Sequence, residues 1–98
     1  MREAQLQSSV MAWLKHNIDP SSSFVWKASD KFVSGIPDII GVTDGRMWAI
    51  ELKVGNNKQT PLQRETMERL LRAGVACDVC YSLDEVKLFA DRAQIRRR

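Results

Sequence analysis

Residues 37–53 read PDIIGVTDGRMWAIELK, two apolar runs, Pro37 to Thr43 and Arg46 to Lys53, joined by Asp44-Gly45. Asp-Gly suits the two successive positive φ angles of a type I′ turn, the two-residue link between antiparallel strands. The stretch therefore reads as a β-hairpin. With that loop Thr43 faces Arg46, and counting outward sets Asp38 opposite Glu51, their Cβ atoms about 5 Å apart on one face. Lys53 lies two residues beyond Glu51 and points to the same face, because side chains alternate along a strand. Ile39, Ile40, Val42, Met47, Ala49, Ile50 and Leu52 make both faces apolar. That pattern belongs to a hairpin at the centre of a covered sheet, with its charges gathered at one end.

Toward the N-terminus, Leu6, Val10, Trp13, Leu14 and Ile18 recur at spacings of three and four, an amphipathic helix over about 2–18. Glu3 and Gln7 continue its Val10/Leu14 stripe. Asp19 to Ser23 breaks the pattern, Phe24 to Ala28 has the aromatic and β-branched content of a strand, and Ser29 to Gly35 is a polar loop. Beyond the hairpin, Val54 to Gln59 is polar. Thr60-Pro61-Leu62-Gln63 then opens a helix with a cap residue, a proline at the first helical position and a glutamine at the third. Gly74 is a helix stop, Val75 to Tyr81 a fourth strand, and Ser82 to Glu85 a second capping box. It opens a last helix with Val86, Phe89, Ala90 and Ala93 inward. The order α-β-β-β-α-β-α predicts one α/β domain over 1–98, a small mixed sheet flanked by helices.

Fifteen Lys and Arg against 12 Asp and Glu leave a formal +3, a balance that permits a polyanionic partner. No apolar run approaches the ~18 residues of a membrane span. The start Met1-Arg2-Glu3-Ala4-Gln5 lacks the basic-then-apolar pattern of a leader. A cytoplasmic protein with no membrane partner is expected. Cys77 and Cys80, three apart in a strand, fall on opposite faces and read as small core side chains, against a redox or zinc pair. His16 is the only histidine, which leaves triads and histidine-based metal sites with little support.

Carboxylates and lysine remain to carry chemistry. Two carboxylates at the Asp38–Glu51 spacing repel by roughly 3 kcal/mol at an effective dielectric near 20, and a divalent cation turns that repulsion into attraction. Hard oxygen ligands suit Mg²⁺ or Mn²⁺, and a lysine beside them can orient or deprotonate a water that attacks phosphorus. The competing reading makes Asp38 a strand-entry residue and Glu51 and Lys53 a solvated face; the apolar faces of the hairpin argue against it. Gln63 serves the capping box in either case, yet falls on the Met67/Leu70 stripe toward the sheet. Glu3, in the first turn of the N-terminal helix, reads as a charge complementing the helix dipole.

Gly-Ile-Pro-Asp-Ile-Ile followed by Ile-Glu-Leu-Lys, on an α-β-β-β-α-β order, resembles the PD-(D/E)xK nuclease superfamily and its restriction-endonuclease-like core. The nearer resemblance is to the VRR-Nuc family, at Glu3, Gly35, Pro37, Asp38, Glu51, Lys53 and Gln63. The resemblance implies that Asp38 and Glu51 are metal ligands, that the Leu52 carbonyl is a further ligand, and that Lys53 serves the nucleophilic water. Glu3 and Gln63 join the catalytic set on the same ground.

With Glu3, Asp38 and Glu51 set aside, nine acids face 15 bases, a formal +6 suited to a nucleic acid. Lys27, Lys31, Arg46, Lys58, Arg64 and the arginine tail are candidate phosphate contacts, and Gly35 permits close backbone approach. No base-reading motif is evident, so selection by DNA shape is the expectation. The chain resembles the stand-alone members of viral or bacterial type, homodimeric resolvases of four-way junctions acting in a bacterial cell or phage-infected host. Branched DNA and a second copy of the chain are the partners this implies, with Trp13, Trp26 or the last helix as dimer surface beside a core role for each tryptophan. A nuclease of flaps, forks or plain duplex, and a binding module without turnover, remain the alternatives.

Overall fold

The computed structural model describes residues 1–28 and 35–97. The elements are α1 (Glu3–Asn17), β1 (Ser23–Lys27), β2 (Ile39–Thr43), β3 (Arg46–Leu52), α2 (Pro61–Arg72), β4 (Ala76–Cys80) and α3 (Leu83–Arg92), in the predicted order. The sheet runs β1-β2-β3-β4. Its first two pairings are antiparallel and the last is parallel. The central position of β2 and β3 follows from their apolar faces. Asp44 and Gly45 take φ of 52° and 76°, and the register runs Thr43↔Arg46 to Ile39↔Ile50, as the turn demands. The loop predicted over Ser29 to Gly35 lies outside the described residues except for Gly35, and so does Lys31.

Leu6, Val10, Leu14 and Ile18 from the α1 segment meet Ile39, Trp48, Ile50, Leu52 and Cys80 of the sheet and Val86, Phe89 and Ala90 of α3 in one core. α1 and α3 thus cover one face of the sheet. On the other face α2 lies over β4, where Cys77 Sγ reaches the Met67 carbonyl. The two cysteines stand on opposite faces, and burial pushes the thiols up to about 11 for Cys77 and about 12 for Cys80. At neutral pH both are protonated, which suits packing and not metal or redox chemistry.

Trp48 is buried because Gly41 stands across from it: a Cβ on Gly41 would come within 2.2 Å of the indole ring. The indole N–H donates to Thr43 Oγ1 at 3.0 Å, so the polar tip is also satisfied. A core role holds for Trp48 but not for Trp26, which is 39% exposed on the edge strand. Trp13 packs against the core with the Arg96 guanidinium 5.2 Å over its ring.

Candidate active site

At the end of the sheet where β2 begins and β3 finishes, Asp38 and Glu51 meet as the register requires. Asp38 Oδ2 accepts from the Leu52 backbone N–H at 2.7 Å, which fixes the carboxylate beside β3. Pro37 stands one step before Asp38, where the register would set it against Leu52. Proline has no N–H to give, so the ladder stops there and the Leu52 carbonyl receives no bond from that position. Glu51 is 2% exposed. Burial, then the hydrogen bond with Asp38 and its negative charge, push the Glu51 carboxyl up to about 9, with Lys53 opposing the rise and Glu3 adding to it. At neutral pH Glu51 therefore holds a proton against Asp38.

The same balance brings four of the sequence-predicted residues together, since Glu51 senses Asp38, Lys53 and Glu3. Lys53 is half-buried just past β3, where its backbone N–H donates to the Cys80 carbonyl at 3.1 Å. Glu3 is exposed in the first turn of α1. Among the described residues no three His, Cys, Asp or Glu side chains cluster closely enough to hold a metal. The donor set that the sequence resemblance implies, Asp38, Glu51 and the Leu52 carbonyl, is a pair of carboxylates with a backbone carbonyl. That set fits Mg²⁺ or Mn²⁺, which take one or two carboxylates and fill the remaining positions with water and substrate phosphate.

Gln63 performs the capping role. Its Oε1 accepts from the Thr60 N–H at 2.9 Å while Thr60 Oγ1 accepts from the Gln63 N–H, leaving the side-chain NH₂ to act elsewhere. Gly35 has φ of +86°, and a Cβ there would meet Thr66 Oγ1 at 2.9 Å and Leu62 at 3.0 Å, so the close approach it permits is to α2. Exposed Lys27 ends β1, Lys58 lies in the loop after β3, and Arg64 sits in the first turn of α2, all at the carboxylate end of the sheet. Tyr81 ties that loop down through its hydroxyl to the Asn57 carbonyl at 2.8 Å.

Other bases stand elsewhere. Arg46 donates to the Ala93 and Gln94 carbonyls at 3.1 and 2.9 Å, closing the end of α3. Arg97 binds the Ile18 carbonyl, and Arg92 pairs with Asp78 at 2.7 Å. Helix-terminal carbonyls and neighbouring carboxylates thus engage Arg46, Arg92, Arg96 and Arg97, which were expected as phosphate contacts, and Arg98 lies outside the described residues. Sequence reasoning also missed the aromatic pair Phe24 and Trp26. The β1 register, Phe24↔Val42 and Trp26↔Ile40, puts both on the Asp38 face.

No family model and no curated protein matches this sequence. A solved structure described as a VRR_NUC domain superposes with a TM-score of 0.73, over 91% of this chain and 94% of that one, at 25% identity. The likeness extends over nearly the whole chain, and the residues that carry the sequence resemblance to the same family, Asp38, Glu51 and Lys53, converge at one end of the shared sheet. On fold and on motif alike, the chain is similar to the VRR_NUC nuclease domain, which supports the family its sequence resembles.

Proposed function

We propose that this chain is a single-domain, metal-dependent DNA endonuclease that hydrolyses phosphodiester bonds with Mg²⁺ or Mn²⁺. We also propose that it acts as a cytoplasmic homodimer on four-way junctions. The observation that carries the nuclease reading is the buried Glu51 carboxyl facing Asp38, held in its protonated form by burial and by that negative charge. Stability alone would favour an apolar pair there. A divalent ion that displaces the proton gives the arrangement a purpose. Asp38, Glu51 and the Leu52 carbonyl would hold it. A bound divalent ion supplies a more acidic water and draws off charge developing at phosphorus.

The remaining work falls to the chain. Lys53 orients the attacking water and stabilises the hydroxide character it gains. Gln63 offers its NH₂ to a phosphate oxygen, and Glu3 adds negative charge that favours the ion. Lys27, Lys58 and Arg64, with Lys31 and the Gly35 backbone, would hold phosphates flanking the scissile one. Junction selection and dimerisation follow from symmetry: one site per chain cuts one strand, so paired incision of a two-fold junction takes two copies.

A panel of four-way junction, flap and linear duplex, with cut positions mapped and sedimentation run with and without junction DNA, tests the finer claim. Symmetric nicks on the junction by a dimer are expected. A monomer on junction DNA, or equal cutting of all three, would replace resolution by less selective cleavage.

A further inference from the structure

The face of the sheet that carries Asp38 and Glu51 is covered by α2 over β4, and among the described residues no helix covers it over β1 and β2. Phe24 is 69% exposed there and Trp26 39%, their ring centroids 5.4 Å apart and tilted by 53°. Ala28 N–H bonds the Asp38 carbonyl at 2.8 Å, so Ala28 and Asp38 are opposite one another and Trp26 is the diagonal neighbour of Asp38 on its own face. Such neighbours have Cβ atoms about 7–8 Å apart, within the span of one nucleotide. Along β1 and β2 this face shows only Phe24, Trp26, Ile40 and Val42 up to Asp38.

We infer that Trp26, backed by Phe24, is a stacking platform that receives an unpaired nucleotide base beside the scissile phosphate. This inference rests on the nuclease reading for its purpose. Aromatic faces take any base without sequence preference. An intact duplex keeps its bases stacked and offers nothing to the platform, whereas a branch point, flap or frayed end does. The patch is too small to hold two copies of the chain together. Phe24, Trp26 and Met47 expose about 300 Å² in all, estimated from the usual area of such side chains, against about 800 Å² per partner in a stable interface. Trp26 and Phe24 are positioning residues, without contact to the reacting atoms.

The test is metal-free binding of oligothymidylate, followed by tryptophan fluorescence and by competition, with cleavage of duplex by the wild-type protein in Mn²⁺ run separately. Trp26→Ala should weaken oligothymidylate binding by about 5- to 100-fold, as one lost stack does, and remove most of the binding-induced quenching. Trp26→Tyr should restore binding to within a few-fold. Phe24→Ala, at a side chain too exposed to matter for folding, should weaken binding by a smaller factor. Unchanged binding in Trp26→Ala or in Phe24→Ala would overturn the platform. So would conversion of a wild-type dimer to monomer by Trp26→Ala, which would make the patch an interface between copies. Wild-type protein that fails to cut while Trp26→Ala still loses binding would retire the nuclease reading and leave the platform standing. Cutting with unchanged binding would do the reverse.

Discussion

Glu51 carries a proton at neutral pH because its surroundings are dry and its neighbour Asp38 is negative, with Lys53 too weak a counterweight to reverse this. In the unfolded chain the same group titrates at the ordinary glutamate value of 4.5. Between 4.5 and about 9 the folded state therefore binds more protons than the unfolded one, and folding stability falls as pH rises. Below that window both states are protonated, so the slope vanishes and this group's contribution is fully present. Thermal unfolding in chelator should show the midpoint dropping from pH 5.5 to 8.5 in wild type, with much of that slope gone in Glu51→Gln. Equal slopes in the two proteins would contradict the assignment. Mn²⁺ affinity should move the opposite way, rising with pH as the proton leaves. The Asp38–Glu51 meeting was legible because a two-residue turn fixes every pair above it. Gln63 was not decidable, since cap and site ask for the same residue. The partners of Arg46 were not legible, because a charge in a sequence carries no direction; the end of α3 gives it one.

The hairpin and the two capped helices follow from local signals that agree with one another: Asp44-Gly45, the Thr60/Gln63 box and the Ser82 hydroxyl accepting from Glu85 N–H. Which tryptophan is buried does not follow from such signals. Trp48 and Trp26 sit in similar apolar strands, and the difference comes from the face each occupies: Trp48 lies over Gly41 in the core under α1 and α3, Trp26 on the exposed side of the edge strand. Periodicity marks the two faces of a strand; it does not say which one a distant helix will cover. Gly41→Ala should therefore destabilise the fold by about 1–3 kcal/mol through overpacking against the indole, read as a lower urea midpoint at unchanged slope. A variant within about 0.5 kcal/mol of wild type, the range of an ordinary surface change, would mean that the ring moves aside freely.

Across the molecule the charges are divided by task. At one end Asp38, Glu51 and Lys53 meet, with Lys27, Lys58 and Arg64 around them; elsewhere the arginines close helix ends and pair with Asp78 and Asp91. The net +3 is thus a poor measure of the site, which matters through its local field. No helix among the described residues is long and apolar enough to cross a membrane. The element order was legible as a restriction-endonuclease-like sheet, because alternating signals left few ways to bury the faces. The exposed β1/β2 face was not, since it depends on how far α2 extends across the sheet. The central claim is that the Asp38–Glu51 pair binds the ion that cuts DNA. It is tested most directly by incubating a four-way junction and a matched duplex with wild-type protein and with Glu51→Gln, in Mg²⁺, in Mn²⁺ and in chelator. Cleavage that needs metal and falls at least 100-fold in the variant, the scale of a lost catalytic group, is the expected result. Cleavage that persists in chelator or in Glu51→Gln, or none by folded wild-type protein in either metal, would contradict it.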